Sequence, residues 1–272
     1  MVGGLLVDDS GNVSVYKSDY MFTVMMVTDG CFILELLYRF QYGIAEADPV
    51  FDNMLMLQEV KSDLLLLENQ IPLLILKELF CLTVKQILKT TSLTDLILYF
   101  FKDMSILKNI ELTKIDERVE HCHILGLLQS CYKPKPTAWK LIPAISFSAT
   151  EIAGAGVKFK ANTDETFLLA VTFEQPSDVP SLGTPIVKDT TFTIPVLCIK
   201  YFTVSFLRNL IAYEQCYPLS QHYVTSFASL MDRLIETDDD VSLLVKSGVL
   251  QHNLGACKDV TTLFNNICNG VC

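Results

Sequence analysis

The sequence predicts a mostly α-helical fold with a small antiparallel β-sheet inserted in its second half, an α+β chain dominated by helices. Three observations carry the prediction. Apolar residues recur at helical spacing over residues 20–130 and again from about Thr203 to Cys268. Between these stretches the period shortens to strand-like runs at 157–160, 166–173 and 190–199. Ser148-Ala149-Thr150-Glu151 is a capping box that restarts helix ahead of those runs, Ser148 capping and Glu151 reaching back.

Taken in order, residues 1–19 are rich in Gly, Asp and Ser and are expected to be loosely ordered. The helical region 20–130 is broken near 43–49, 90–92 and 110–116. Asp48-Pro49 signals a turn, and Ser62 or Asp63 is a candidate cap for the next helix. Pro72 lies inside an apolar run over 64–82, where its missing N–H and its ring demand a kink or a restart. A Pro-rich connector, 131–147, separates this region from a second one, 148–272. There Gly154 and Gly156 stop the helix begun at Ser148. Residues 174–189 contain three prolines and are too long for a tight hairpin, so they read as a loop. Asp240 as N-cap and Gly248 as stop delimit a later helix. The regions together form one composite domain, with the sheet at about 157–199.

The chain carries 21 Lys and Arg against 31 Asp and Glu, a formal charge of -10, and only 19% charged residues. An average chain has about 25%, and mean hydropathy here is +0.36. A membrane helix needs roughly 18 predominantly apolar residues in succession. Residues 21–40 are interrupted by Asp29, Glu35 and Arg39, and residues 71–88 by Lys77, Glu78 and Lys85. No span is therefore expected, and the apolar excess must fill a deep core or form surface reserved for another purpose. Nine cysteines, an odd number set mostly in apolar runs, point to free thiols in a reducing compartment, with the cytoplasmic face favoured. The start has no basic region or apolar core of a secretory signal. Only four arginines occur, and the one cationic cluster, Lys133, Lys135 and Lys140, is threaded with prolines. That pattern argues against nucleic-acid binding.

Carboxylates on helix faces that should be buried are the informative polar residues. At 100° per residue Asp29 falls within a stripe of Phe22, Met25, Met26, Ile33 and Leu36. Glu68 shares a face with Leu64, Ile71 and Ile75, and Glu214 lies between Leu207 and Leu210. Arg208 points away from that face, and Glu35 and Arg39 form an exposed pair. Buried carboxylates are costly unless paired or hydrogen-bonded. Glu68 and Glu214 are therefore expected to be mostly buried, one of them held by a cation or by backbone donors. Two readings stay open. The acids line a polar pocket for a cation or for acid–base work, or each ties down a loop or helix end. Structural networks are the commoner fate of such residues. A metal reading of His121, Cys122 and Cys131 is weak, because neighbouring helical residues diverge by 100° and zinc motifs use wider spacings. No phosphate loop or nucleophile elbow occurs, and no catalytic residue, metal ligand or cofactor is assigned.

Six strings in order carry a family likeness: M-V-T-D-G-C-F-I-L-E-L-L (26–37), L-L-L-L-E-N-Q-I-P (64–72), S-A-T-E-I-A-G-A-G-V-K-F (148–159), F-L-R-N-L-I-A-Y-E-Q-C (206–216), V-T-S-F-A-S-L-M-D-R-L-I (224–235) and D-V-S-L-L-V-K-S-G-V-L (240–250). They resemble the plant family called domain of unknown function 247. The resemblance implies uncharacterised plant proteins with no established enzymatic activity, typically longer, with a C-terminal hydrophobic anchor. Some members are associated with self-incompatibility in grasses, which implies recognition between proteins. The chain departs from the pattern by lacking the usual N-terminal region and the anchor, and by having Ala153 and Gly154 where charge is expected. By the match, Asp29, Glu68, Asn69, Gln70, Arg208, Asn209 and Glu214 form the candidate polar cluster. The expectation is a non-enzymatic interaction module acting at a membrane through a protein partner, without cofactor or metal. The alternative is an enzyme of unknown reaction built on the buried carboxylates. The missing N-terminal region also predicts an exposed apolar patch near residues 21–37.

Overall fold

The computed structural model describes residues 15–43, 48–107, 120–133, 146–162, 169, 171–174, 190–217 and 222–270. Helix α1 (Val15–Tyr42) leads into α2 (Met54–Asp63), a 3-10 turn (Leu67–Asn69), α3 (Leu73–Leu82), α4 (Val84–Ile87), α5 (Leu93–Phe101) and α6 (Ile124–Ser130). The second half holds α7 (Ala149–Gly154), β1 (Lys158–Asn162), β2 (Thr172–Glu174), β3 (Thr191–Pro195), β4 (Leu197–Ile199), α8 (Thr203–Cys216), α9 (Tyr223–Leu234), α10 (Asp238–Lys246), β5 (Leu250–His252) and α11 (Cys257–Ile267). The helix-dominated α+β class is thus observed. One apolar core runs from Ile33 to Ile267 and draws on both halves. The connector residues 134–145, the predicted break at 110–116 and the first 14 residues lie outside the described residues.

The ends of the helices follow from local chemistry. Asp48 accepts the N–H groups of Val50 and Phe51 and pairs with Arg39, making the Asp48-Pro49 turn. The next helix, α2, is capped by Asn53, whose side chain accepts from Leu55 and Met56. Ser62 and Asp63 instead finish α2 and cap nothing downstream. Pro72 produces the restart: α3 begins at Leu73, whose N–H donates to the Cys122 carbonyl at 2.7 Å. Capping boxes start α5 at Ser92 and α7 at Ser148. Asp240 is not the N-cap of α10. That place belongs to Thr237, and Asp240 sits three residues inside. Gly248, with φ of +76°, closes α10 in the left-handed conformation that glycine adopts without a Cβ penalty.

The sheet is mixed rather than antiparallel. Its order is β1-β3-β2, with β1 parallel to β3 and β2 antiparallel to it. Phe159 and Phe173 flank Phe192 in register, their ring centroids 5.5 and 5.9 Å from it. Such aromatic pairs are the unit of sheet stability. The predicted run 190–199 breaks at Val196, and β4 turns away to pair in parallel with β5. That last strand lies within the stretch expected to be helical. Three residues are too few for a period, and the pairing edge of β4 sets their conformation.

Helix α1 meets the length and composition of a span, although no uninterrupted apolar run within it does. Its part Tyr20–Tyr42 is long and apolar enough to cross a membrane, because a window of that length tolerates the few charges that break an uninterrupted run. Only 28% of that window is buried. Ile33, Leu34, Leu36 and Leu37 enter the core against α3 and α5. Gly30 permits the approach, since a methyl group there would stand 2.5 Å from Leu79 Cδ1. The preceding turns project: Tyr20, Met21, Phe22, Met25 and Phe32 are each 46 to 68% exposed. This is the apolar surface anticipated near residues 21–37.

Candidate functional site

Glu214 is the one candidate acid that is buried, and it is completely enclosed. It projects from α8 into the start of α9. Its carboxylate accepts from the N–H groups of Val224 (3.0 Å) and Thr225 (2.8 Å), the Thr225 hydroxyl (2.6 Å) and Gln129 Nε2 (2.9 Å). The first turn of a helix leaves its N–H groups without partners, and α9 has no side-chain cap of its own. Glu214 supplies that cap from another helix. Gln129 Oε1 in turn accepts the Tyr223 hydroxyl at 3.2 Å. Burial pushes the Tyr223 phenol up to about 12, against the Gln129 hydrogen bond and with help from Glu214.

Gln70 and Asn209 mend the helix interrupted before Pro72. Gln70 Nε2 donates to the Leu64 and Leu66 carbonyls, both at 2.8 Å, and its Oε1 accepts the Leu125 N–H. Asn209 Oδ1 accepts the Leu67 N–H at 2.7 Å and its Nδ2 donates to Ser205. Asn69 donates to the Asp63 carbonyl. Arg208 donates to the carbonyl of Asn266 in the last turn of α11, where a cation opposes the negative helix end. It does not pair with the acids.

Glu68 and Asp29 are exposed, contrary to expectation. The wheel that buried Glu68 assumed one helix through residues 64–75, but the 3-10 turn rotates it to solvent. Asp29 shared a stripe with Phe22 and Met25, which are exposed, and with Ile33 and Leu36, which are buried, and it falls on the exposed side of that divide. Of the seven, Glu214 is enclosed, Glu68 and Asp29 are exposed, and Asn69, Gln70, Arg208 and Asn209 bond to backbone groups. A cavity of about 310 Å³ beside α3 has none of them in its lining.

Two joints escaped the sequence reading. Asp240 is fully enclosed and accepts from the N–H and hydroxyl of Thr150 (both 2.8 Å), the N–H and hydroxyl of Thr237 (2.9 and 2.8 Å) and the Glu236 N–H. Burial opposes its ionisation, but the hydrogen bonds from Thr150 and Thr237 prevail and hold the carboxyl below its usual range. The signal was present, since Thr237 precedes Asp240 at capping-box spacing. The second joint is Lys61, 1% exposed, whose Nζ pairs with Asp103 at 2.7 Å and lies over the Phe40 and Phe100 rings. Burial lowers its pKa against the Asp103 pairing.

The metal reading loses its geometry. Among the described residues no group of three or more His, Cys, Asp or Glu side chains could hold an ion. His123 Nδ1 accepts the Gly126 N–H and caps α6. Burial pushes the Cys131 thiol up to about 12.

Buried acids that cap helices and side-chain amides that mend a broken helix define the class: a helix-dominated α+β protein in which Glu214 and Asp240 fasten one element to another. The chain belongs to the family described as plant protein of unknown function, DUF247, whose model matches residues 10–272. It is similar to the UPF0481 protein At3g47200 of Arabidopsis thaliana, 27% identical over 267 residues, covering 93% of this chain and 55% of that protein. It is also similar to the putative UPF0481 protein At3g02645 of Arabidopsis thaliana, 28% identical over 139 residues, covering 51% of this chain and 23% of that protein. The chain thus spans about half the length of the first relative or less of the second. No solved structure matches it.

Proposed function

We propose that the chain is a non-enzymatic protein-interaction module acting at a membrane, with the projecting half of α1 as the surface that a protein partner covers. One observation carries the reading. From Tyr20 to Thr28 the helix bears no charge, and Tyr20, Met21, Phe22, Val24, Met25 and Val27 are all exposed. A helix apolar all round belongs in a core or a bilayer. Aromatic residues and Met are the types enriched where proteins meet. The other half of α1 is fixed in the core by Leu34 and Leu37, so a spanning role would require extracting them. Presentation to a partner leaves the fold intact. Cys31, Cys81, Cys122 and Cys131 are free thiols among the described residues, which supports a reducing compartment on the cytoplasmic side of that membrane. The acid–base alternative has less support, since Asp29 and Glu68 are exposed whereas Glu214 is fully enclosed.

The test is a photo-crosslinking residue at Phe22 in the chain expressed in plant cells, compared with a Phe22→Glu/Met25→Glu variant. A protein adduct recovered from membrane fractions, and lost in the variant at unchanged thermal stability, is the expected result. The proposal fails if both forms yield the same adducts. It also fails if the purified chain floats with protein-free vesicles and the variant does not, since lipid would then be the occupant.

A further inference from the structure

A second feature lies away from α1 and from the polar joints. The cavity of about 310 Å³ is bounded by α3, α4, the start of α5, His121 and α6. Its size falls at the lower end of the range of small-molecule pockets. Phe80, Leu93 and Leu127, all buried in the core, make its apolar wall. Its charged residues are of one sign. Lys77 and Lys85 line it with no acid among the described lining residues, although the chain carries ten more acids than bases. The ion pairs of the described residues involve Arg39 and Lys61, so neither of these lysines is neutralised. Lys85 Nζ donates only to the Thr91 carbonyl, at 3.2 Å.

His121 lines the same cavity, and its Nε2 is shielded from the cavity as well as from bulk solvent, with no hydrogen-bond partner. A buried polar nitrogen without a partner is rare and costly. Burial, followed by the nearby Lys77 ammonium, lowers the pKa of the ring. At neutral pH the imidazole is therefore uncharged, and the positive charge of the lining lies on the two lysines. We propose that this cavity binds a small amphipathic carboxylate. Its apolar body lies on Phe80, Leu93 and Leu127, and its carboxylate faces Lys77 and Lys85. A carboxylate supplies the negative charge that the two lysines lack. The apolar wall selects such a molecule over an inorganic anion.

The probe is 4-phenylbutyrate, titrated calorimetrically into the full chain, with 4-phenyl-1-butanol as its uncharged counterpart. The expected result is one-site binding of the acid, with the alcohol at least about tenfold weaker. Lys77→Gln and Lys85→Gln should each weaken binding about threefold, the scale of a partly exposed ion pair, and together about tenfold. Cys81, an exposed thiol in the lining, gives an independent readout. The acid should slow its alkylation and leave Cys31 on α1 unaffected. Thr94→Trp, which fills the mouth, should abolish both effects, and if that variant does not fold the lysine variants and the Cys81 footprint still decide. The proposal is overturned if no binding occurs at millimolar acid, if the double lysine variant binds as tightly as the parent, or if inorganic phosphate protects Cys81 equally well.

Discussion

Replacing Glu214 by Ala should be among the most destabilising single changes available in this chain. The substitution removes the acceptor for two backbone N–H groups, one hydroxyl and one amide. Val224 is wholly buried, so its N–H has no access to water, whereas Thr225 is partly exposed and recovers some solvation. Each buried donor left unpaired costs about 1–3 kcal/mol. Counting one full loss at Val224, partial losses at Thr225 and Gln129, and the void left by the side chain, the total is about 3–5 kcal/mol. A domain of ordinary stability has only about 5–15 kcal/mol in all. Glu214→Gln keeps one acceptor oxygen but turns an amide donor toward other donors, and should cost roughly half as much. Urea unfolding of the full chain measures these differences, with Glu68→Ala and Asp29→Ala as controls that should show no measurable loss. Hydrogen exchange at Val224 and Thr225 should accelerate in Glu214→Ala before the rest of α9 does. A loss below about 1 kcal/mol for Glu214→Ala, or equal losses for Glu68→Ala, would refute the assignment of Glu214 as the cap of α9.

Asp240→Asn should cost about 3 kcal/mol, because its two oxygens serve five donors. Its folded pKa is lowered from 3.8, so its contribution is fully present above that value and is lost as pH falls through the lower folded value. The variant should therefore show a flatter acid limb in unfolding measured between pH 5 and 2. Lys61 has the opposite consequence: its folded pKa lies below 10.5, so stability should rise with pH between the folded value and 10.5. Lys61→Met should abolish that rise and cost less than about 1 kcal/mol, since Asp103 is half exposed and tolerates losing its partner. Gly126→Ala places a methyl group 2.8 Å from the Tyr213 hydroxyl and should cost about 1–3 kcal/mol. Adding Tyr213→Ala should remove most of that overpacking penalty, as a double-mutant thermal series would show.

The legible part of this fold was what local chemistry decides. The Ser148 box, the turn at Asp48, the restart at Pro72 and the stop at Gly248 each depend on a few consecutive residues, and each formed as its sequence dictated. Apart from the caps expected at Ser62 or Asp63 and at Asp240, what failed depended on distant partners. Strand direction in β1 and β3 is set by the path between them, and β5 exists because β4 offers an edge. The burial of Glu68 was misjudged because helical counting was carried through a segment that Pro72 had already broken. Glu214 was legible as a buried acid, but its donors lie in α9 and α6, up to 85 residues away in sequence. The Lys61 joint gave no signal, since a lysine on a helix is ordinarily solvated and only Phe40, Phe100 and Asp103 together bury it.

The strings that carry the family likeness meet one another at these joints. Glu214, in the string over 206–216, caps the helix begun by Val224 and Thr225, in the string over 224–235. Thr150, from residues 148–159, is held by Asp240, from residues 240–250. Leu67, from residues 64–72, donates to Asn209, again in the string over 206–216. In the first string, Gly30 opens the approach of α1 to Leu79. Each polar member of these pairs meets a backbone group that the fold itself leaves without a partner, at a helix start or beside a break. A likeness built on such pairs reports how the chain is fastened together. It is silent on chemistry, because a carboxylate with every lone pair committed to fixed donors has none left for a substrate. The joints leave the projecting half of α1 and the lysine-lined cavity beside α3 unused, and it is on these two surfaces that the proposals above rest.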